Sequence, residues 1–169
     1  DLTSLQLLLK IAQIHNPKQV DFLTNCVRNQ KAAVGMHCFA DQWWCRCFDD
    51  DGKRVGVPES EHGKLWLNPQ SWAVISGVGS VAQRQAGLEA VYAQLRTDVG
   101  LKLLTPGFPS YPEEINPFVG YNPGNGENGA IFCHANGWAI IAEAMMGNAD
   151  RAWEYFSLLT SHLALNKMG

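Results

Sequence analysis

No stretch of this sequence approaches the roughly 20 consecutive apolar residues of a membrane span, and no basic stripe stands out along it. Neither a membrane nor a nucleic acid is expected as a partner. The consensus strings GxSxG, HExxH and GxGxxG and the phosphate-binding P-loop are all missing. Nucleophilic hydrolases, zinc peptidases and nucleotide enzymes therefore lose their usual sequence support. The start, Asp1 to Leu9, has no positively charged segment of the secretory type and no initiator Met. It is expected to lie inside a longer protein. Cysteine is scarce and odd in number, at Cys26, Cys38, Cys45, Cys47 and Cys133. The odd count argues against a complete disulfide framework, and CxxC spacing for zinc is absent. Reduced thiols of a cytoplasmic protein are expected instead. Cys45 and Cys47 alternate along a strand-like run and are expected to face the same side of it.

What is present reads as one globular domain. The chain has 169 residues, 46% of them hydrophobic and 17% charged, with a net charge of -3. That is enough material for a core of its own. Leu2, Leu5, Leu8, Leu9 and Ala12 fall on one helical face. Asn16-Pro17 then predicts a helix start, with Asn16 as cap and Pro17 in the first turn, and Val20, Leu23, Val27 and Val34 continue a second helix. An aromatic-rich run from Phe39 to Phe48 and a run from Lys53 to Val57 flank Asp51-Gly52, which predicts a β-hairpin with its aspartates at the exposed turn.

A helix is predicted from near Pro69 to Ile75, ended by Gly77 and Gly79, and a second one capped by Ser80. Leu101 to Leu104 is a short apolar run, and residues 105–130 read as a long Pro- and Gly-rich loop of the kind that is usually functional or disordered. Helices are predicted from His134 to Met146 and from Asn148 to Leu163, separated by Gly147. Trp72-Ala-Val-Ile75 is echoed by Trp138-Ala-Ile-Ile141, each followed by glycine and a further amphipathic helix. Repeated αα-hairpins with loops at one end suit an α/α toroid.

Several residues could carry chemistry. The tryptophans Trp43, Trp44, Trp66, Trp72 and Trp138 could offer faces to pyranose rings, although core packing is the plainer role for most of them. Glu127 sits in a loop rich in Gly and Asn, where the backbone is free to bring a carboxylate to a ligand hydroxyl; a solvated loop glutamate is the plainer alternative. His134 precedes a helix, where an imidazole and free backbone N–H groups can together hold an anion; a buried, satisfied histidine is the alternative. Asn68 and Gln70 occupy the equivalent place in the other hairpin, as hydroxyl partners or as helix caps.

Taken together, four strings resemble glycoside hydrolase family 94, the cellobiose, cellodextrin, chitobiose, laminaribiose and cellobionic acid phosphorylases. They are Trp43 to Gly52, Gly63 to Gly77, Glu127 to His134, and Trp138 to Tyr155. The resemblance covers nearly all of the chain and is weakest over residues 1–36. It implies a partial (α/α)6 barrel, mainly α, with an inserted β-hairpin, residues 1–169 forming the C-terminal part of the catalytic barrel. The Asn68 to Trp72 form is similar to the cellodextrin and cellobionic acid branches.

The implied reaction is phosphorolysis of a β-glucoside with inversion: a carboxylic acid protonates the glycosidic oxygen while phosphate attacks from the opposite face. The implied partners are an oligosaccharide and inorganic phosphate as co-substrate, with no cofactor and no metal. By the resemblance, Glu127, Gln70 and Asn128 are saccharide contacts and His134 binds phosphate. The sequence departs from the family at Gly126, where lysine is usual, and holds no Asp-Trp-Asn-Asp-Gly string, the family's source of the acid. No catalytic residue is therefore assigned, and the chain alone is expected to be inactive. An incomplete barrel also leaves apolar helix faces exposed, so a homodimer or a complementing segment is an expected partner. The alternatives are a related inverting hydrolase, with Glu59, Glu61 or Glu127 as second carboxylate, and a non-catalytic carbohydrate-binding module.

Overall fold

The computed structural model describes residues 2–109 and 120–165, so the stretch 110–119 of the long loop lies outside the described residues. Six helices form three consecutive αα-hairpins: α1 (Leu2–His15) with α2 (Val20–His37), α3 (Leu67–Ser76) with α4 (Val81–Gln94), and α5 (Cys133–Met145) with α6 (Ala149–Leu165). Helix α3 packs against both α1 and α5, so the odd-numbered helices stand side by side and their even-numbered partners lie behind them. This mainly helical arc is the expected partial toroid. The largest core cluster includes Leu65, Leu67, Val91, Leu95, Leu101 and Tyr155, and a smaller one joins Val74, Leu88 and Ala142 across α3, α4 and α5. Each fully enclosed aliphatic side chain of this size contributes about 1.5–3 kcal/mol.

Local chemistry is clearest at two helix ends. Ser80 accepts from the Gln83 amide while the Gln83 side chain accepts from the Ser80 amide, a reciprocal cap that starts α4. Gly77 ends α3 in the left-handed conformation at φ 68°, where a side chain would be strained. Asn16 does not cap: its side chain makes no capping bond, and Pro17–Gln19 form a 3-10 turn before α2 begins. Of the predicted face of α1, Leu2 and Ala12 are buried and Leu5 and Leu9 half-buried, while Leu8 is exposed.

Eight two-residue strands pair antiparallel between the helices. The expected hairpin is β3 (Cys47–Phe48) with β4 (Arg54–Val55), and Asp49 uses its carboxylate to accept from the Asp51 and Lys53 amides at the turn. Before it lies a tighter hairpin, β1 (Phe39–Ala40) with β2 (Trp43–Trp44), and after α4 another, β6 (Arg96–Thr97) with β7 (Gly100–Leu101). Finally β5 (Leu65–Trp66) pairs with β8 (Leu104–Thr105). Cys45 and Cys47 do not share a face: Cys45 is buried and Cys47 exposed. The chain changes partner between them. The Cys45 amide donates to Cys38 and the Arg46 amide to Val55, so no single strand runs through both cysteines.

A polar network joins α4, α5 and α6. Glu143 is fully enclosed, accepting from Asn148 Nδ2 at 2.6 Å and from the Tyr155 hydroxyl at 3.4 Å. Arg151 reaches Glu89 at 2.7 Å and stands 4.0 Å from Glu143. Burial pushes the Glu143 carboxyl above the usual carboxylate range, against the pull of Asn148, Arg151 and Tyr155. The Arg151 guanidinium holds Glu89 below that range. These two groups act on stability in opposite windows. Above the ordinary value of 4.5 the unfolded chain has released the Glu143 proton while the folded chain still holds it, so stability falls as pH rises through the folded value. Glu89 contributes stability above 4.5 that is lost as pH drops. Glu143→Gln is expected to flatten the upper limb of the pH–stability curve, measured by urea midpoints across the acidic range, and an unchanged limb would contradict the assignment.

Candidate functional site

The loops at the N-terminal ends of α3 and α5 are tied together by one extended stretch, residues 100–105. Its C-terminal part pairs with β5, the lead-in to α3, and the Leu67 amide donates to Leu103. On its other side Lys102 bridges Ile131, and the Leu103 amide donates to Ala130, which leads into α5. The starts of the two helices are thereby brought beside one another. Trp72 and Trp138, each the sixth residue of its helix, meet edge to face at 5.2 Å.

His134 is the second residue of α5 and is exposed. Its ring is held by edge contacts to Phe132 at 5.5 Å and Trp138 at 5.1 Å. The residue preceding α5, Phe132, offers no side-chain cap, unlike Ser80 at α4. Among the described residues, the first-turn N–H groups of α5 are left for another acceptor, next to an imidazole. Asn68 is the second residue of α3, in the place His134 takes in α5. It does not cap α3, and its Oδ1 is enclosed without a hydrogen bond.

Glu127 is half-buried in a loop closed by short-range bonds: Asn125 to Asn122, Asn128 to Asn125, Gly124 to Asn128 and Ala130 to Gly126. Its Oε2 is enclosed and has no hydrogen-bond partner among the described residues. Seven residues later the chain reaches His134, with the Ile131 bridge between. Gly126 has φ 49°, and a Cβ there would lie 2.4 Å from the Tyr121 ring. The Tyr121 ring thus lies on the backbone where a lysine side chain would leave it, with much of the ring exposed. Neither feature is signalled by the sequence, because a glycine in a Gly-rich loop reads as flexibility.

Gln70 and Asn128 are both fully enclosed. Gln70 Oε1 accepts from the Trp44 amide at 2.9 Å, while its Nε2 donates to the Trp44 carbonyl at 2.9 Å and the Trp66 carbonyl at 3.0 Å. Asn128 Oδ1 accepts from the Phe108 amide at 2.8 Å, and its Nδ2 donates to the carbonyls of Phe108 at 2.8 Å and Tyr121 at 2.9 Å. Asn136, not singled out from the sequence, does the same for Leu101, accepting at 2.7 Å and donating at 3.0 Å, with a further bond to Phe132. Gln70 and Asn136 are each two residues before the helix tryptophan and each bonds the carbonyl four residues back. The internal repeat therefore extends from a tetrapeptide to a hydrogen-bonding device.

The sequence matches the family described as "Glycosyl hydrolase 94 superfamily, catalytic domain" over residues 2–167. The chain belongs to glycoside hydrolase family 94. Among its relatives are an N,N'-diacetylchitobiose phosphorylase of Vibrio furnissii, 37% identical over 134 residues, and a 3-O-beta-D-glucopyranosyl-beta-D-glucuronide phosphorylase of Paenibacillus borealis, 32% identical over 155 residues. A cellobionic acid phosphorylase of Neurospora crassa is 32% identical over 133 residues. These alignments cover 78%, 86% and 78% of this chain but only 17%, 19% and 16% of the relatives. The chain thus spans less than a fifth of the length of these family 94 relatives. Among the described residues no cluster of His, Cys, Asp or Glu is arranged to hold a metal ion, and no helix is long and apolar enough to cross a membrane.

Proposed function

We propose that this family 94 chain is the arc of an (α/α)6 catalytic barrel that grips saccharide and phosphate in an inverting glycoside phosphorylase. The reaction is cleavage of a β-glucosidic oligosaccharide by inorganic phosphate to give a sugar 1-phosphate. Two observations support the reading: an enclosed, unpartnered carboxylate oxygen on Glu127 in the loop that leads to α5, and the exposed His134 beside uncapped backbone N–H groups at the α5 start. The names of the relatives, phosphorylases all three, support it.

In this reading Glu127 accepts a hydrogen bond from a sugar hydroxyl. His134 and the first-turn N–H groups of α5 hold the phosphate, which attacks the anomeric carbon as the glycosidic C–O bond breaks. The leaving oxygen takes its proton from an acid outside these 169 residues. Gln70 and Asn128 shape the site through the main chain, so the saccharide contact falls to Glu127. Exposed apolar residues at both ends of the arc, Ile11, Ile14 and Phe22 at one and Met145, Trp153 and Phe156 at the other, fit continuation of the barrel or association with a complementing segment or a second copy.

The test compares the chain alone with a complete enzyme carrying it. The chain alone is expected to release no sugar 1-phosphate. In the complete enzyme Glu127→Gln is expected to raise KM for the saccharide, and His134→Gln KM for phosphate, each lowering kcat/KM by about 10²–10³-fold. Equal effects of both variants on both substrates, or turnover without phosphate, would count against the reading.

A further inference from the structure

At the opposite end of α3, two cations converge beside the helix C-terminus with no carboxylate paired to them among the described residues. A Cβ built on Gly77 would lie 3.6 Å from Lys31 Nζ and 3.7 Å from Arg84 Nη1. Lys31 comes from α2 and Arg84 from α4, and both line a cavity of about 300 Å³ between the hairpins, together with Gln6, Gly77 and Met145. Among the described residues neither cation makes a hydrogen bond or an ion pair, and Arg84 Nε is enclosed without a partner. Arg96 and Arg151, in contrast, each hold a glutamate.

Two unpaired like charges directed at one point repel, and enclosing part of a guanidinium without an acceptor adds to that cost. The C-terminal dipole of α3 attracts both cations, but no direct hydrogen bond holds them there. The Ala73 and Val74 carbonyls already accept from the Val78 and Gly77 amides, and the Ser76 carbonyl from Gln6 Nε2 at 3.0 Å. No bond runs from Lys31 or Arg84 to these groups.

We propose that Lys31 and Arg84 form a binding site for a phosphate-type oxyanion, separate from the one at His134. The planar guanidinium donates along two parallel directions and the ammonium supplies a movable point charge, a combination suited to a tetrahedral oxyanion. Helix α3 has 10 residues, so its ends stand about 15 Å apart. An anion at the Gly77 end therefore lies remote from Asn68 and from the site at the start of α5. Because it bridges α2 and α4 behind α3, it would tie the first two hairpins of the arc together. The proposal is independent of the phosphorylase reading.

The test is titration of inorganic phosphate at constant ionic strength, followed by calorimetry, in the chain carrying His134→Gln so that only the second site is read. Saturable one-to-one binding is expected, weakened at least tenfold by Lys31→Gln and by Arg84→Gln and partly retained in Arg84→Lys. Arg28→Gln, at an exposed position on α2, serves as a charge control and is expected to leave the isotherm unchanged. Circular dichroism checks that each variant is folded. No saturable binding to the His134→Gln chain, or an isotherm unaffected by both Lys31→Gln and Arg84→Gln, would overturn the proposal.

Discussion

Gln70→Ala is expected to remove about 3–6 kcal/mol of stability, a large share of the 5–15 kcal/mol available to a domain of ordinary size. The Gln70 carboxamide serves three main-chain groups: the Trp44 N–H, the Trp44 carbonyl and the Trp66 carbonyl. Trp44 and Trp66 are themselves buried, so water does not replace the amide when it is removed. Each orphaned group costs about 1–3 kcal/mol, and the missing methylenes leave a void as well. The site also tolerates no shift. A Cβ on Gly87 would lie 2.8 Å from Gln70 Oε1, which accounts for glycine in the middle of α4 despite its poor helix propensity. Denaturant midpoints should fall accordingly, with a loss of roughly 10 °C or more in Tm. Gln70→Met, which fills the space without hydrogen bonding, should recover only the smaller, void-related part. Full recovery by Met would show that packing rather than the amide matters.

Asn128→Ala is expected to act differently, by local opening. It frees the Phe108 N–H and carbonyl and the Tyr121 carbonyl, at about 2–4 kcal/mol. Phe108 packs against Trp66, Leu104 and the His62 ring, outside the main core cluster, so this region can open without unfolding the helical core. Hydrogen exchange of the Phe108 amide should accelerate by about 10²-fold while that of α5 stays unchanged. Asn128→Asp keeps the acceptor and loses both donors, and should fall between wild type and Ala. Because Asn128 adjoins Glu127, loss of the clamp should also loosen the carboxylate. Unaltered protection at Phe108 in the Ala variant would show that the loop is held by something else.

The helices were legible in the sequence because each carries its own signal over many residues. Apolar spacing marks α2 and α6, Ser80 announces α4, and Gly77 and Gly147 stop α3 and α5. The hairpin at Asp51-Gly52 had its turn signal too. The remaining strands did not, since two residues cannot show a period, and β5 and β8 pair across the 39 positions that separate Leu65 from Thr105. The buried face of Cys45 was lost for the same reason: the partner switch at Arg46 leaves no mark in composition. Glu127 and His134 drew attention in the sequence because a Gly- and Asn-rich loop and a helix start are local signals. The carboxamides were not readable. A Gln or Asn that will hold a sugar hydroxyl and one that will hold a peptide group are the same letter, and only enclosure separates them.

The locks on Trp44 and Leu101 recognise peptide atoms alone. An indole in one hairpin and an isobutyl group in the other are held by the same N–H and C=O geometry. The lock therefore places no demand on the side chain it grips, and at Trp44 and Leu101 that demand comes from the surrounding core instead. Position 101 should accept only aliphatic exchanges of similar volume, because the core limits it, while position 136 should accept almost nothing but the native amide, because the lock limits it.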